Sequence, residues 1–289
     1  MHKIFLVDDD EDDRMFTRQA LESVTSQIEI TELSDGTQLL ALLKEDNLNQ
    51  PTLVLMDMNM PRLNGLEALS VLRSTPEYRH IPVVMFSTTT LASAVERAYA
   101  LGVNAYIVKP IHFDDYMRMA HAVNLCFLNQ YSEIDPLLIR QPAEAKNVVI
   151  IEDNADHYAL MELFLKKDAP ELNLIHKETA DSALDFFSSL DKKNSADIDL
   201  IILDLYLPKR QHGLELLTRI RSMFAGKELA NVPIVVFSAS AHPQDIKESY
   251  RNQANAYMVK TTEPERSFSY LSGLCYFWWN TISPPVQTT

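Results

Sequence analysis

The feature that most constrains this chain is an apolar run that ends on an aspartate and occurs twice. Leu53-Val54-Leu55-Met56 leads into Asp57, with Met58, Asn59, Met60 and Pro61 behind it. Leu200-Ile201-Ile202-Leu203 leads into Asp204, followed by Leu205, Tyr206, Leu207 and Pro208. A continuous apolar run of this length, stopped by a carboxylate and then a proline, reads as a strand buried on both faces, as in a parallel sheet. Ligands of open parallel α/β sheets bind at the carboxyl ends of the strands, so an aspartate there is placed for chemistry. One such stretch is weak evidence, because apolar strands ending in Asp are common. Two copies with matching surroundings are much stronger.

The surroundings do match. Lys3-Ile4-Phe5-Leu6-Val7-Asp8-Asp9-Asp10 aligns with Asn147-Val148-Val149-Ile150-Ile151-Glu152-Asp153-Asn154. Gly65-Leu66-Glu67 aligns with Gly213-Leu214-Glu215, the second copy carrying an extra loop residue before it. Ile81-Pro82 and the run to Ser87 align with Val232-Pro233 and the run to Ser238; Asn104-Ala105-Tyr106-Ile107-Val108-Lys109 aligns with Asn255-Ala256-Tyr257-Met258-Val259-Lys260. The order is the same in both halves, which marks a tandem duplication rather than a solenoid, because each unit is long enough to bury its own core. A length of 289 residues fits two domains. The expected division is a first domain over 1–130, a connector over 131–146, a second domain over 147–282 and an extended tail over 283–289. Pro136 and Pro142 argue against a long helix in the connector.

Within the first copy, strands are expected near 3–7, 28–32, 52–57, 81–87 and 104–108, and helices near 12–25, 36–45, 65–74, 91–101 and 113–129. Alternating βα units with apolar strands imply a doubly wound parallel sheet with helices on both faces. The second copy repeats the pattern from about 147 to 280. There is no room for a third domain, so an output domain is not expected. Trp278 and Trp279 are read as packing the last helix against its own sheet, with a dimer contact as the alternative.

A net charge of −14 argues against binding a nucleic-acid backbone, which needs clustered Lys and Arg. Cys126 and Cys275 are the only cysteines; both lie in apolar stretches and read as buried thiols of a reducing cytoplasm. The apolar run Ile4–Val7 is too short for a signal peptide, and no stretch approaches the ~20 apolar residues that span a membrane. A cytoplasmic protein without membrane contact is expected. No Gly-x-Gly-x-x-Gly or P-loop pattern occurs, so a nucleotide cofactor is not expected.

Four parts converge in each copy: the acidic pair after the first strand (Asp8 and Asp9, or Glu152 and Asp153), the strand-three aspartate (Asp57 or Asp204), a hydroxyl ending strand four (Ser87 or Ser238) and a lysine ending strand five (Lys109 or Lys260). All lie at carboxyl ends of strands and should meet at one mouth of the sheet. Three crowded carboxylates repel and raise one another's pKa. A hard cation removes the conflict, and oxygen-only ligands suit Mg²⁺. A lysine and a hydroxyl beside the metal provide a place for an oxygen-rich anion. Such a set around a nucleophilic carboxylate fits phosphoryl transfer through an aspartyl-phosphate.

With these residues, each half resembles the receiver domain of two-component response regulators, and the resemblance covers about 3–130 and 147–280. It implies a flavodoxin-like sheet of strand order 2-1-3-4-5 and phosphoryl transfer from the phosphohistidine of a histidine kinase or histidine phosphotransfer protein to Asp57, with Mg²⁺ required. By the same resemblance, Asp9 and Asp57 ligate the metal, Asp8 acts partly through water, and the backbone carbonyl of Asn59 completes the protein ligands. Ser87 and Lys109 hold phosphoryl oxygens, and Tyr106 takes the position of the aromatic switch. Lys109-Pro110 matches the family's Lys-Pro peptide, usually cis. The second copy offers Glu152, Asp153, Asp204, Ser238, Lys260 and Tyr257, but departs at Thr261, where the proline is missing, and at Tyr206, which stands in the place of Asn59. The Tyr206 carbonyl can still reach the metal, while its ring would hinder an attacking water and lengthen the life of a phosphoryl group on Asp204.

The function expected is therefore a tandem-receiver signalling protein, a phosphoacceptor rather than a turnover enzyme. It would act through an unknown downstream protein, in a relay or as a phosphate sink, with homodimerisation through one receiver face as a further possibility. The alternative from another class is a Mg²⁺-dependent phosphatase resembling haloacid-dehalogenase-like proteins, whose Asp-x-Asp pattern Asp8-Asp9-Asp10 imitates although the Thr expected two residues on is absent. A third reading is a partner-binder with idle sites. Asp12 and Asp13 read as acids favouring a helix N-terminus, and His157 and His242 as solvated histidines.

Overall fold

The computed structural model describes residues 1–45, 52–129, 145–190, 198–226, 228–261 and 264–282. The expected connector, except for Ala145 and Lys146, and the expected tail lie outside them. The first half runs β1 (His2–Val7), α1 (Glu11–Val24), β2 (Ile28–Leu33), α2 (Gly36–Glu45), β3 (Thr52–Met56), α3 (Gly65–Ser74), β4 (Val83–Ser87), α4 (Ala92–Ala100), β5 (Ala105–Val108) and α5 (Phe113–Phe127). The second runs β6 (Asn147–Ile151), α6 (Ala155–Asp168), β7 (Asn173–Lys177), α7 (Ala180–Ser189), β8 (Leu200–Leu203), α8 (Arg210–Phe224), β9 (Ile234–Ser238), α9 (Pro243–Arg251), β10 (Ala256–Val259) and α10 (Pro264–Asn280). Each half is a compact unit with its own five-stranded sheet.

The sheets have orders β2-β1-β3-β4-β5 and β7-β6-β8-β9-β10, and all pairings are parallel. The two are the same arrangement. The central strands are buried along their length, as their uninterrupted apolar runs require. Helices α2, α3 and α4 close one face of the first sheet through Leu39, Leu43, Ala68, Leu69, Leu72, Val95 and Ala98. Helices α7, α8 and α9 do the same in the second through Leu184, Phe187, Leu217, Ile220, Phe224 and Tyr250. Helix α1 packs against α5, and α6 against α10. Trp278 is buried on α10 and Trp279 is half-buried; Cys126 and Cys275 are buried.

Two local devices recur. Arg73 on α3 donates to the carbonyls of Gly102 (2.8 Å) and Ile81 (3.1 Å) and to Asn104 Oδ1 (2.9 Å). Arg221 on α8 repeats this with the carbonyls of Gln253 (3.0 Å) and Val232 (2.9 Å) and with Asn255 Oδ1. Each guanidinium ties its helix to the segments that enter the last two strands. Gly65 and Gly213 carry the second device. A Cβ on Gly65 would lie 2.2 Å from the Asp57 carbonyl, and one on Gly213 would lie 2.1 Å from the Leu205 carbonyl. Only glycine lets the helix press onto the loop behind the strand-tip aspartate. The extra residue of the second copy is absorbed by an earlier helix start: α3 begins at Gly65, whereas α8 begins at Arg210, before Gly213.

Candidate functional site

Strand register brings the expected residues to one level. Val7 pairs with Met56 and Asp57 N donates to Val7 O (2.8 Å), which sets Asp8 beside Asp57. Ser87 pairs with Val108 and Lys109 N donates to Ser87 O (2.9 Å). The second half repeats both steps: Asp204 N to Ile151 O (2.9 Å) and Lys260 N to Ser238 O (2.7 Å). Carboxylate oxygens of Asp8, Asp9 and Asp57 all lie within 4.8 Å of one another, and so do those of Glu152, Asp153 and Asp204. Asp9 and Asp153 are exposed and the other four are buried, so each site is a buried pair with one acid open to solvent.

In the first site Lys109 Nζ lies 2.6 Å from Asp8 Oδ2, 2.8 Å from Asp13 Oδ2 and 3.6 Å from Asp57 Oδ2. Burial pushes the Asp8 carboxyl up to about 6, against the opposing pull of Lys109. Burial also raises Asp57, while the Lys109 charge and hydrogen bonds from the Met58 and Asn59 backbone and from Ser87 pull the other way. Burial would depress the Lys109 ammonium, but its bonds to Asp13 and Asp8 outweigh that and raise it. Buried acids that resist ionisation are acids short of positive charge. The oxygen-only donor set, with one member open to water, is the kind that takes a hard divalent cation.

The second site distributes its charges differently. Lys260 Nζ bonds Glu152 Oε2 and Asp204 Oδ2 equally, each at 2.7 Å. The place of Asp13 is held by His157, whose Nδ1 lies 3.2 Å from Glu152 Oε1. Burial raises Glu152, with Lys260 opposing and Asp204 reinforcing the shift. His157 thus faces the site rather than solvent alone, contrary to the expectation from sequence. His242 serves the neighbouring helix, its Nδ1 accepting from Gln244 N (3.2 Å) at the start of α9.

The remaining expected residues fall around these centres. Ser87 and Ser238 are fully buried at the ends of β4 and β9. Tyr106 and Tyr257 are fully buried, their hydroxyls donating to Thr89 O and Ser240 O, each at 2.8 Å. Asn59 is exposed at the mouth, and its Nδ2 donates to Thr89 Oγ1 (3.3 Å). Tyr206 is 40% exposed; its N–H donates to Asp204 Oδ1 (3.1 Å) and its hydroxyl to Asp245 Oδ2 (3.4 Å). The Lys109–Pro110 peptide is trans, correcting the cis expectation; among the described residues the cis bond is Leu207–Pro208. Trans is the form an isolated X–Pro bond favours by about 0.5–1 kcal/mol.

Sequence reasoning missed Asp13 as a site residue. It does sit in the first turn of α1, whose N-cap is Asp10 accepting from Asp12 N (2.9 Å) and Asp13 N (3.2 Å). Its carboxylate nevertheless turns to Lys109, and its Oδ1 accepts from the Tyr116 hydroxyl (3.1 Å). The mouth of the first half also exposes apolar side chains: Ile111 and Phe113 after β5, Leu91 after β4, and Met15 and Phe16 on α1.

A family model described as the response regulator receiver domain matches residues 4–121 and again residues 148–271. The response regulator Rcp1 of a Synechocystis species is 30% identical over 129 residues, covering 43% of this chain and 88% of that protein. The polar-differentiation response regulator DivK of Brucella anthropi is 33% identical over 108 residues, covering 37% of this chain and 84% of that protein. Among solved structures, the phosphorylated cyanobacterial phytochrome response regulator RcpA is 32% identical, covers 44% of this chain and 93% of its own, and superposes with a TM-score of 0.41.

Proposed function

The chain belongs to the response regulator receiver domain family, with two receiver domains in tandem, and from that premise we propose that each domain accepts a phosphoryl group on its strand-tip aspartate. The donor is the phosphohistidine of a histidine kinase or of a histidine phosphotransfer protein. One observation carries the reading: a buried carboxylate at a strand tip, within reach of a strand-end ammonium and grouped with two more carboxylates, built twice on the same register.

In the first domain a carboxylate oxygen of Asp57 attacks phosphorus. The P–N bond to the donor imidazole breaks, its electron pair returns to nitrogen, which takes a proton from water, and a P–O bond to Asp57 forms. Lys109, 3.6 Å from Asp57 Oδ2, is close enough to follow the new charge and bind a phosphoryl oxygen. The Ser87 hydroxyl donates to another, and backbone N–H groups of Met58 and Asn59 already face the carboxylate. In the second domain Lys260 and Ser238 take these parts around Asp204. Asp8, Asp9, Asp57 and the Asn59 carbonyl would hold a divalent cation, Mg²⁺ by preference, as would Glu152, Asp153, Asp204 and the Tyr206 carbonyl. Such an ion, when bound, neutralises charge on the phosphoryl oxygens.

A phosphoryl group adds about −1.5 to −2 charge. Drawn toward it, Ser87 would shift the loop after β4, to which the Tyr106 hydroxyl is bonded through Thr89 O. The altered α4–β5 surface would be the signal read by a downstream protein. The exposed apolar rim of Ile111, Phe113, Leu91, Met15 and Phe16 suits a protein partner at the first site. The phosphatase alternative loses support, because Asp10, the second carboxylate of its Asp-x-Asp pattern, is engaged as the N-cap of α1. The test is intact-protein mass after acetyl phosphate and Mg²⁺. Phosphoryl adducts that disappear with Asp57→Asn and with Asp204→Asn support the reading; adducts that survive the double substitution refute it.

A further inference from the structure

The loop behind each strand-tip aspartate is tied down by an arginine, and the two halves tie it in opposite directions. In the first domain Arg62 ion-pairs with Asp35 ahead of α2, away from α4. In the second, Thr179 occupies the place of Asp35 and caps α7 with Ser182, so the carboxylate that holds Arg62 in the first domain has no counterpart at that position. Arg210 instead pairs with Asp245 in the first turn of α9, where the first domain has Ala94.

Asp245 is a hub. It is only 4% exposed, yet it collects Arg210 Nε on one oxygen and the Ser240 hydroxyl (2.5 Å) and Tyr206 hydroxyl (3.4 Å) on the other. Burial alone would raise its pKa; the bonds from Ser240 and Arg210 override it and hold the carboxyl below its ordinary range. The three donors come from both segments that border Asp204: Tyr206 from the loop after β8 and Arg210 from the start of α8 that follows it, Ser240 from the loop after β9. Both ends are anchored to the reactive core. Tyr206 N donates to Asp204 Oδ1 (3.1 Å), and Ser240 O accepts from the buried Tyr257 hydroxyl (2.8 Å). In the first domain the same two loops share an exposed bond from Asn59 Nδ2 to Thr89 Oγ1 (3.3 Å).

We propose that Asp245 is the positioning residue of a clasp, formed with Tyr206, Arg210 and Ser240, that closes the loops over Asp204 and makes this aspartate slow both to gain and to lose a phosphoryl group. The inference rests on Asp204 being a phosphoacceptor. The Tyr206 ring lies between its N–H, bonded to Asp204 Oδ1, and its hydroxyl, bonded to Asp245 Oδ2, and in the clasp it narrows the approach of donor and of water alike. Holding the ring by its hydroxyl slows both passages, whereas the buried carboxylates of Glu152 and Asp204 are held by Lys260 at 2.7 Å each and do not depend on the clasp.

The test uses the full chain carrying Asp57→Asn, so that only Asp204 reports. Phosphorylation by acetyl phosphate with Mg²⁺, and loss after donor removal, are followed by intact mass. Asp245→Asn and Tyr206→Phe should each speed both gain and loss by about three- to tenfold. The double variant should be no faster than the faster single, since both open one clasp. Mg²⁺ affinity, read by calorimetry, should change less than about twofold in Asp245→Asn, which a general loosening of the site would not allow. Should Asp245→Asn fail to fold, Tyr206→Phe and the reverse graft Asn59→Tyr with Ala94→Asp, in an Asp204→Asn chain, decide. The graft should slow Asp57 in both directions. Unchanged rates in these variants overturn the clasp while leaving Asp204 a phosphoacceptor. No adduct on Asp204 in any variant overturns the phosphoacceptor reading, and the clasp with it.

Discussion

The two halves share a scaffold, a register and a reactive set, and differ in the side chains one layer out. In the first, Lys109 is drawn toward Asp8 and Asp13 and stands off from Asp57 at 3.6 Å. In the second, where His157 replaces Asp13, Lys260 sits directly on Asp204 at 2.7 Å. The loops behind the aspartates diverge in the same way, pulled toward α2 by Arg62 and Asp35 or toward α9 by Arg210 and Asp245. A duplicated site can thus keep its residues while neighbours one layer out rearrange its ion pairs and the loops around it.

The largest effect expected is that of removing the lysines. Lys109→Ala leaves two buried carboxylates and Asp13 without their cation, and Lys260→Ala leaves Glu152 and Asp204 so. Each should cost about 3–5 kcal/mol in urea denaturation without divalent cation. Added Mg²⁺ should restore part of the loss. A loss below about 1 kcal/mol in either would mean that the lysine is not the counter-charge of its site, and the comparison of the two networks would fall.

Next in size is a pH effect. The folded Asp8 carboxyl titrates near 6, above its ordinary value, so the folded chain holds that proton more tightly than the unfolded chain does. The resulting stability is present below about pH 4 and lost as pH rises through about 6, amounting to about 3 kcal/mol. Other groups titrate too, so the measure is the stability difference between wild type and Asp8→Asn at pH 4 and pH 7.5. That difference should move by about this amount in favour of Asp8→Asn at the higher pH. Saturating Mg²⁺ should remove the trend; a flat difference without metal would contradict the burial argument.

Smaller still is the exchange of the outer neighbours. Asp13→His should weaken the first domain by about 1.5–3 kcal/mol, the range for a hydrogen bond between charged groups, and let Lys109 close on Asp57. Spectra of Asp13→His chains with and without Asp57→Asn, the lysine isotopically labelled, would show whether the ammonium then responds to Asp57; no response would separate the two networks from the identity of this residue. The smallest effect tests a likeness rather than a difference. Asp10→Ala and Asn154→Ala remove corresponding helix caps and should cost the same, about 1 kcal/mol each, by denaturation midpoint.

Much of this was legible in the residues. Uninterrupted runs such as Leu53–Met56 and Leu200–Leu203 mark strands buried on both faces, and their aspartates fall where strands end. Strand order came from the family resemblance, because periodicity says that strands are parallel but not which are neighbours. Asp13 was read as a helix-terminal acid, and it is one; its bond to Lys109 depends on how close α1 comes to the end of β5, which no local pattern records. The Arg210–Asp245 pair is hidden for the same reason. Setting the copies side by side offers the available signal: Asp13 against His157, Asp35 against Thr179, Ala94 against Asp245. Changes of charge beside a site whose strand-tip aspartate, serine and lysine are kept mark where the halves differ.

The central claim is that this polypeptide carries two phosphoacceptors on one repeated constellation. Intact mass after acetyl phosphate and Mg²⁺ tests it most directly. Wild type should take up two phosphoryl groups, the slower at Asp204; Asp57→Asn and Asp204→Asn one each; the double variant none. A wild-type chain that takes up none, or a double variant still modified to the wild-type extent, would contradict the account.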